Sequence, residues 1–257
     1  MRLNILKRTN AGPATTLLLA LAVVASLLTA SPVAAHAPQG AGDVEEFELE
    51  AVQIYDADGN LLEISIDDVA EIHGDLCMCV AGGYRAIQAA IFVLYEEDEV
   101  PTQGELTALY HHPGQGHKQA FESILTAECV TYEQIGSPQQ MTLDYWSYEF
   151  TRNDTGETFE LQLLDSIIPR DFFDYRYAVN GYTKGWHEDE PTEEERTLFA
   201  AAYTDSLNNL LTLPLWELYE GIEEPEEPTP VAAIVFSSAL VVLVAVGFVY
   251  SARGKRR

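Results

Sequence analysis

The chain has 257 residues, with 41 Asp and Glu against 14 Lys and Arg, and a formal net charge of −27. No acid precedes Asp43 or follows Glu227, and only seven basic residues lie between them, so the middle of the chain carries a formal −34. A body of that sign repels nucleic acid and anionic lipid. It suits a heavily solvated surface, as in adaptation to high salt, or one that collects cations. Three cysteines are too few for a disulfide scaffold.

The two ends are apolar and differ in kind. Arg2, Lys7 and Arg8 precede an apolar run from Leu17 to Ala30, and small residues follow up to Ala37. Residues 1–37 therefore read as a secretory signal. At the other end, residues 223–230 form an acidic, proline-rich stalk that cannot bury a core. Residues 231–250 carry no charge and are long enough to span a bilayer core of about 30 Å. Residues 251–257 hold Arg253, Lys255, Arg256 and Arg257. Positive charge just past a span places it on the cytoplasmic side. The expected layout is a single-pass cell-membrane protein with residues 38–222 as an extracytoplasmic domain, large enough for one core.

Within that domain, residues 44–52 alternate partly as a strand, and Asp58-Gly59 favours the turn of a hairpin with partner strand 61–66. The run Asp56-Ala-Asp-Gly-Asn60 also suggests a calcium loop, but the later Glu and the flanking helices are missing. Asp67 or Asp68 can cap a short helix ending near Ile72. Residues 84–95 read as a buried helix, 106–110 as a strand and 118–126 as a helix. Strands over 141–152 and 158–164 flank the turn Asn153-Asp-Thr-Gly156, and Asn153-Asp-Thr155 also fits a glycosylation pattern. Thr192 with Glu195 forms a capping box for a helix to about Leu211, and a second apolar turn follows over 213–219. The expected class is α+β, a mixed or antiparallel sheet packed with helices.

Chemistry concentrates in His73-Gly-Asp-Leu-Cys77-Met-Cys79 and in the loop His111-His112-Pro-Gly-Gln-Gly-His117. Thiolate with imidazole suits zinc, copper or nickel rather than magnesium or calcium. The candidate ligands are His73, Cys77, Cys79, His112, His117 and Cys129, with zinc the first choice. Two other readings stand beside this one. Cys77 or Cys79 can pair with Cys129 as an ordinary disulfide in an oxidising compartment. Alternatively, a thiol can serve as a nucleophile with His73 or His117 as its base. There is no phosphate loop, dinucleotide fingerprint or Ser-His-Asp pattern.

His73-Gly-Asp-Leu-Cys77, followed by Ala81-Gly-Gly-Tyr-Arg85-Ala, resembles the signature His-Gly-His-x-Cys-Pro-Gly-x-x-x-Gly-x-Arg of the FmdE family, which takes its name from a component of formylmethanofuran dehydrogenase. Gly116-His-Lys-Gln119, Tyr145-Trp-Ser-Tyr-Glu-Phe-Thr151 and residues 192–219 resemble later parts of it in the same order. The resemblance implies a fold similar to the C-terminal domain of glyceraldehyde-3-phosphate dehydrogenase. It also implies a metal held partly by His73 and Cys77. The chain departs from the signature at Asp75, Met78 and Cys79, and stalk and span stand where the family has a zinc ribbon. The expected functions are a surface-anchored metal sensor, buffer or carrier, a metal- or thiol-dependent enzyme on a small molecule, or an interaction domain with a structural disulfide.

Overall fold

The computed structural model describes residues 37–225. The expected signal sequence, membrane span and basic tail, and most of the stalk, lie outside the described residues. Among the described residues no helix is long and apolar enough to cross a membrane.

Strands β1 (Val52–Tyr55) and β2 (Leu61–Ile64) form an antiparallel hairpin with Val52 opposite Ile64. Its turn is closed by the Asp56 carboxylate, which accepts from the Asp58 and Asn60 N–H groups, and by Gly59 at φ 82°. The strand expected over 44–52 begins only at Val52. Upstream, the Gly42 and Glu45 N–H groups donate to side chains of Thr204 and Asn208, so the backbone is satisfied by a helix rather than a strand.

Helix α1 (Ile66–His73) is capped by Ser65, not by Asp67 or Asp68. The Asp68 N–H donates to Ser65 Oγ, and Asp68 Oδ2 accepts from the Ser65 N–H at 2.8 Å. Asp68 thus closes a capping box from the third helical position. Gly74, at φ 93°, ends the helix and turns the chain toward the cysteines.

Helix α2 (Met78–Leu94) starts six residues before the expected Tyr84. Gly82 and Gly83 each weaken a helix by about 1 kcal/mol relative to Ala, and so hid its first turns. They are needed for packing. A Cβ on Gly82 would lie 2.3 Å from Trp146 Cζ3, and one on Gly83 would lie 3.0 Å from Ala120 Cβ. Strand β3 (Leu106–Tyr110) is as expected, and α3 (Gln115–Leu125) begins three residues early.

Strands β4 (Val130–Tyr132), β5 (Ser147–Arg152) and β6 (Glu157–Gln162) complete a four-stranded sheet in the order β4-β3-β5-β6. β3 and β4 are parallel and the other pairs antiparallel, so the sheet is mixed. The long strand expected over 141–152 is broken, because Leu143–Trp146 forms a 3-10 turn that buries Tyr145 and Trp146. Alternating residues of β3 and β5 point inward. Phe121 of α3 meets Tyr110 at 5.0 Å and Tyr148 and Phe150 at 5.9 Å, joining helix layer to sheet.

Helix α4 (Arg170–Thr183) was not expected; its buried residues are Phe172, Phe173 and Gly181, too few to draw a stripe in the sequence. Helix α5 (Glu193–Thr212) has the capping box of Thr192 and Glu195, and α6 (Leu215–Leu218) follows. Phe172 packs on Phe199 of α5 at 5.4 Å. The fold is α+β, a mixed four-stranded sheet packed against helices.

Tyr84 ties the hairpin to α2. The buried Val52 N–H donates to its hydroxyl at 3.1 Å, and the carbonyls of Glu50 and Ile64 lie 3.0 and 2.9 Å from it. Tyr84→Phe strands that amide, and should cost about 1–3 kcal/mol of stability in urea unfolding.

Candidate metal centre

Three chain segments meet where α2 and α3 begin. Cys77 is the extended N-cap of α2, and Cys79 is the second residue inside it. His112 follows β3 on the connecting loop, and His117 lies in the first turn of α3. One ligand atom each from Cys79, His112 and His117 falls within 4.8 Å of the other two. His112 is 6% exposed and His117 is fully buried. Their rings stack at 4.1 Å, and Trp146 meets each edge-on at 5.0 Å.

Glycines make this convergence possible. A Cβ on Gly114 would sit 2.8 Å from both Cys79 Sγ and His112 Nδ1. A Cβ on Gly116 would sit 2.8 Å from Cys79 Cβ and from the Val80 nitrogen. Any side chain at either position would push the loop off α2.

Hydrogen bonding sets which imidazole atoms are available. His117 Nε2 lies 2.9 Å from the Tyr148 hydroxyl on β5. His117 Nδ1 is buried and has no hydrogen-bond partner. With the proton on Nε2, donated to the Tyr148 oxygen, Nδ1 is left as a bare lone pair. That is the arrangement of a ligand histidine fixed through its other nitrogen. The Gly114 N–H donates to His112 Nδ1 at 3.0 Å. A neutral ring accepting there carries its proton on Nε2, so metal uptake displaces either that amide or that proton.

Burial holds both histidines neutral. His117 is lowered to about 3 by burial, and His112 is lowered well below its ordinary value by burial first, then by His117 and Arg176. The two thiols share a hydrogen bond and titrate as a pair. Cys77 is drawn down to about 6 by that bond, with the Val80 N–H and His73 helping against burial. Cys79 is pushed up by the same bond and by burial. A metal ion held by Cys79 would reverse this order, because a coordinated thiol loses its proton outright.

The other expected ligands lie outside the group of three. His73 ends α1 and contacts Gln119 of α3 through Nδ1 at 2.5 Å, while its charge acts on Cys77. Cys77 neighbours the group through Cys79. His111 faces the other way, its Nδ1 3.1 Å from the Glu133 carbonyl. Cys129 follows α3 at its far end, with the Thr126 hydroxyl donating to its sulfur at 3.7 Å. An 11-residue helix is about 16 Å long, well beyond disulfide reach of Cys79. All three thiols are free, so the bridge to Cys129, the alternative to a metal site, is absent.

Tyr148, Trp146 and Arg176 were not singled out from the sequence. The aromatic run over 145–151 was the only signal for the first two. Arg176 comes from the unexpected α4; it reaches the carbonyls of Pro138 and Gln139 at 3.4 Å, and its charge acts on Cys79.

The donor set fits a borderline metal. Tetrahedral zinc with sulfur and nitrogen ligands holds its donors about 3.3–3.7 Å apart, a spacing compatible with donors that lie within 4.8 Å of one another. Neither the family models nor the curated proteins compared with this chain give a match.

The histidine pair predicts a pH dependence. Above the ordinary value of 6.5 the histidines are neutral in both folded and unfolded chains, so their contribution to stability is complete. As pH falls from 6.5 toward the folded value of about 3 for His117, the unfolded chain takes up protons that the folded one refuses. Stability of the metal-free protein should fall by up to about 1.4 kcal/mol per pH unit for each histidine. Urea titrations should show this slope, and His117→Gln should flatten it by about one proton.

Proposed function

We propose that this chain is a membrane-anchored, extracytoplasmic domain that binds one transition-metal ion through Cys79, His112 and His117. Zinc is the first candidate, with nickel and copper the alternatives, and the role is metal sensing, buffering or delivery. The observation that carries the reading is the convergence of one thiol and two buried imidazoles, one with a ring nitrogen that has no hydrogen-bond partner. Sulfur and nitrogen donors of this kind favour such metals over calcium and magnesium. The anchoring rests on the signal-like and span-like ends of the sequence. The resemblance of residues 73–85 to the FmdE signature supports a relationship to that family, with the metal displaced from Cys77 toward Cys79 and the histidine loop.

A second reading is a metal-dependent enzyme acting on a small molecule. Three protein donors leave one position of a tetrahedral ion open, as catalytic zinc requires. A filled coordination shell in the metal-loaded protein would remove it.

The test is metal content of protein purified without a metal-affinity tag. One zinc per chain is expected. Cys79→Ser, His112→Gln and His117→Gln should each weaken binding by more than about 100-fold. Tyr148→Phe, which frees the orienting hydrogen bond, should cost about 10–100-fold. Cys129→Ser and His111→Gln should leave affinity unchanged. Absence of metal, or its retention in His117→Gln, overturns the assignment.

A further inference from the structure

The β4 edge of the sheet holds a cleft that the metal centre does not use. β4 runs parallel to β3 with Tyr110 beside Tyr132, and the two rings lie 5.4 Å apart at 51°. Val130, two residues before Tyr132, falls on the same face of its strand. Helix α3 packs over that face, with Phe121 stacked on Tyr110 at 5.0 Å. Gln115, Lys118 and Glu122 follow one another along α3 at spacings of three and four, so they form one stripe of it. The stripe, the two tyrosines, Val130 and Pro113 enclose a cleft of about 320 Å³, the size of a small-ligand site.

The walls of the cleft divide by chemistry. Tyr110 is buried and makes a fixed aromatic floor. Burial pushes its hydroxyl up to about 12, so it stays a neutral donor. Tyr132 is 41% exposed, a large ring standing in water at the rim. Lys118 and Glu122 face each other at 3.6 Å, both partly exposed. A closed charge-assisted bond is shorter, about 2.7–2.9 Å, so both groups keep hydrogen-bonding capacity for a ligand. Lys118 is also one of only seven basic residues among the 41 acids of the middle of the chain. A body of that charge turns away a free anion, and Lys118 opposes a lone cation in the cleft. A ligand carrying one charge of each sign on neighbouring atoms meets neither obstacle.

We propose that this cleft binds a free α-amino acid with an apolar or aromatic side chain. Its carboxylate meets the Lys118 ammonium and the Gln115 amide. Its ammonium, held on the same carbon, meets the Glu122 carboxylate and the tyrosine faces, which attract cations. Its side chain lies against Tyr110, Val130 and Pro113. Binding replaces a loose ion pair with two complementary contacts and covers the exposed ring of Tyr132. The site needs no metal and stands apart from the reading above.

The experiment titrates L-phenylalanine, then L-leucine, into the purified full chain by isothermal titration calorimetry, after a chelator has removed any metal. One site per chain is expected, with a Kd below about 1 mM for at least one of the two. Phenethylamine and 3-phenylpropanoate each lack one of the two charges and should bind at least about tenfold more weakly than L-phenylalanine. Lys118→Met and Glu122→Gln should each weaken binding at least about tenfold and leave the thermal melt unchanged, since both side chains stand at the surface. Cys79→Ser, which removes a proposed metal donor, should bind the amino acid as wild type does. No binding of either amino acid, equal binding of either one-charge analogue, or full affinity in Lys118→Met or Glu122→Gln would overturn the proposal. So would loss of binding in Cys79→Ser, which would place the amino acid at the metal centre instead.

Discussion

The close approach of α2 and α3 at their N-terminal ends is the contact on which the centre depends. Four glycines permit it. Gly82 and Gly83 let Trp146 and Ala120 reach the first turns of α2, and Gly114 and Gly116 let the loop lie on Cys79. At van der Waals density a single added methyl is felt, and here each would strike a sulfur, an imidazole, a ring or backbone. The same contact seals His117 from water and sets Trp146 against both imidazoles. Packing, rather than hydrogen bonding, is therefore what brings the three donors together.

That packing also separates the centre from the charge of the protein around it. The chain carries −27 overall, a potential that would raise the proton affinity of an exposed histidine. Burial acts in the opposite direction on His112 and His117 and dominates there. Surface charges act over a screening length of about 8 Å at physiological salt, while desolvation acts on the group itself. No carboxylate belongs to the group of three. The acidic surface and the centre thus do different chemistry. The surface attracts cations of any kind, whereas sulfur and nitrogen donors such as these would discriminate among them.

Much of the scaffold was legible in the sequence where one local rule decides. The 106–110 strand, the Gly59 hairpin turn, the Gly156 turn and the Thr192–Glu195 capping box each follow from a short pattern with one physical meaning. Elements set by tertiary contact were not legible. The first turns of α2 were hidden by two glycines whose purpose lies on other elements, and α4 is polar enough to read as a loop. The 3-10 turn at Leu143–Trp146 breaks a strand-like run because Trp146 has to turn inward. Cys79, His112 and His117 were all visible as candidates, but so were His73, Cys77 and Cys129. Distances across the α2–α3 contact separate the first three, and no spacing along the chain encodes them.

The way the donors are distributed bears on what the centre is for. In a small zinc module the ligands sit close in sequence and the ion supplies the folding energy. Here Cys79 lies 33 residues before His112 in sequence, and the elements carrying them are already joined by an aromatic core of Tyr110, Phe121, Tyr148 and Phe150. The metal-free chain therefore already has the three donors together. The proposed ion would join preformed elements instead of nucleating them. Its affinity would then be set by donor chemistry more than by the stability of the whole domain. A site of that kind would load and unload without unfolding, which the proposed sensing, buffering or delivery requires and a purely structural ion does not.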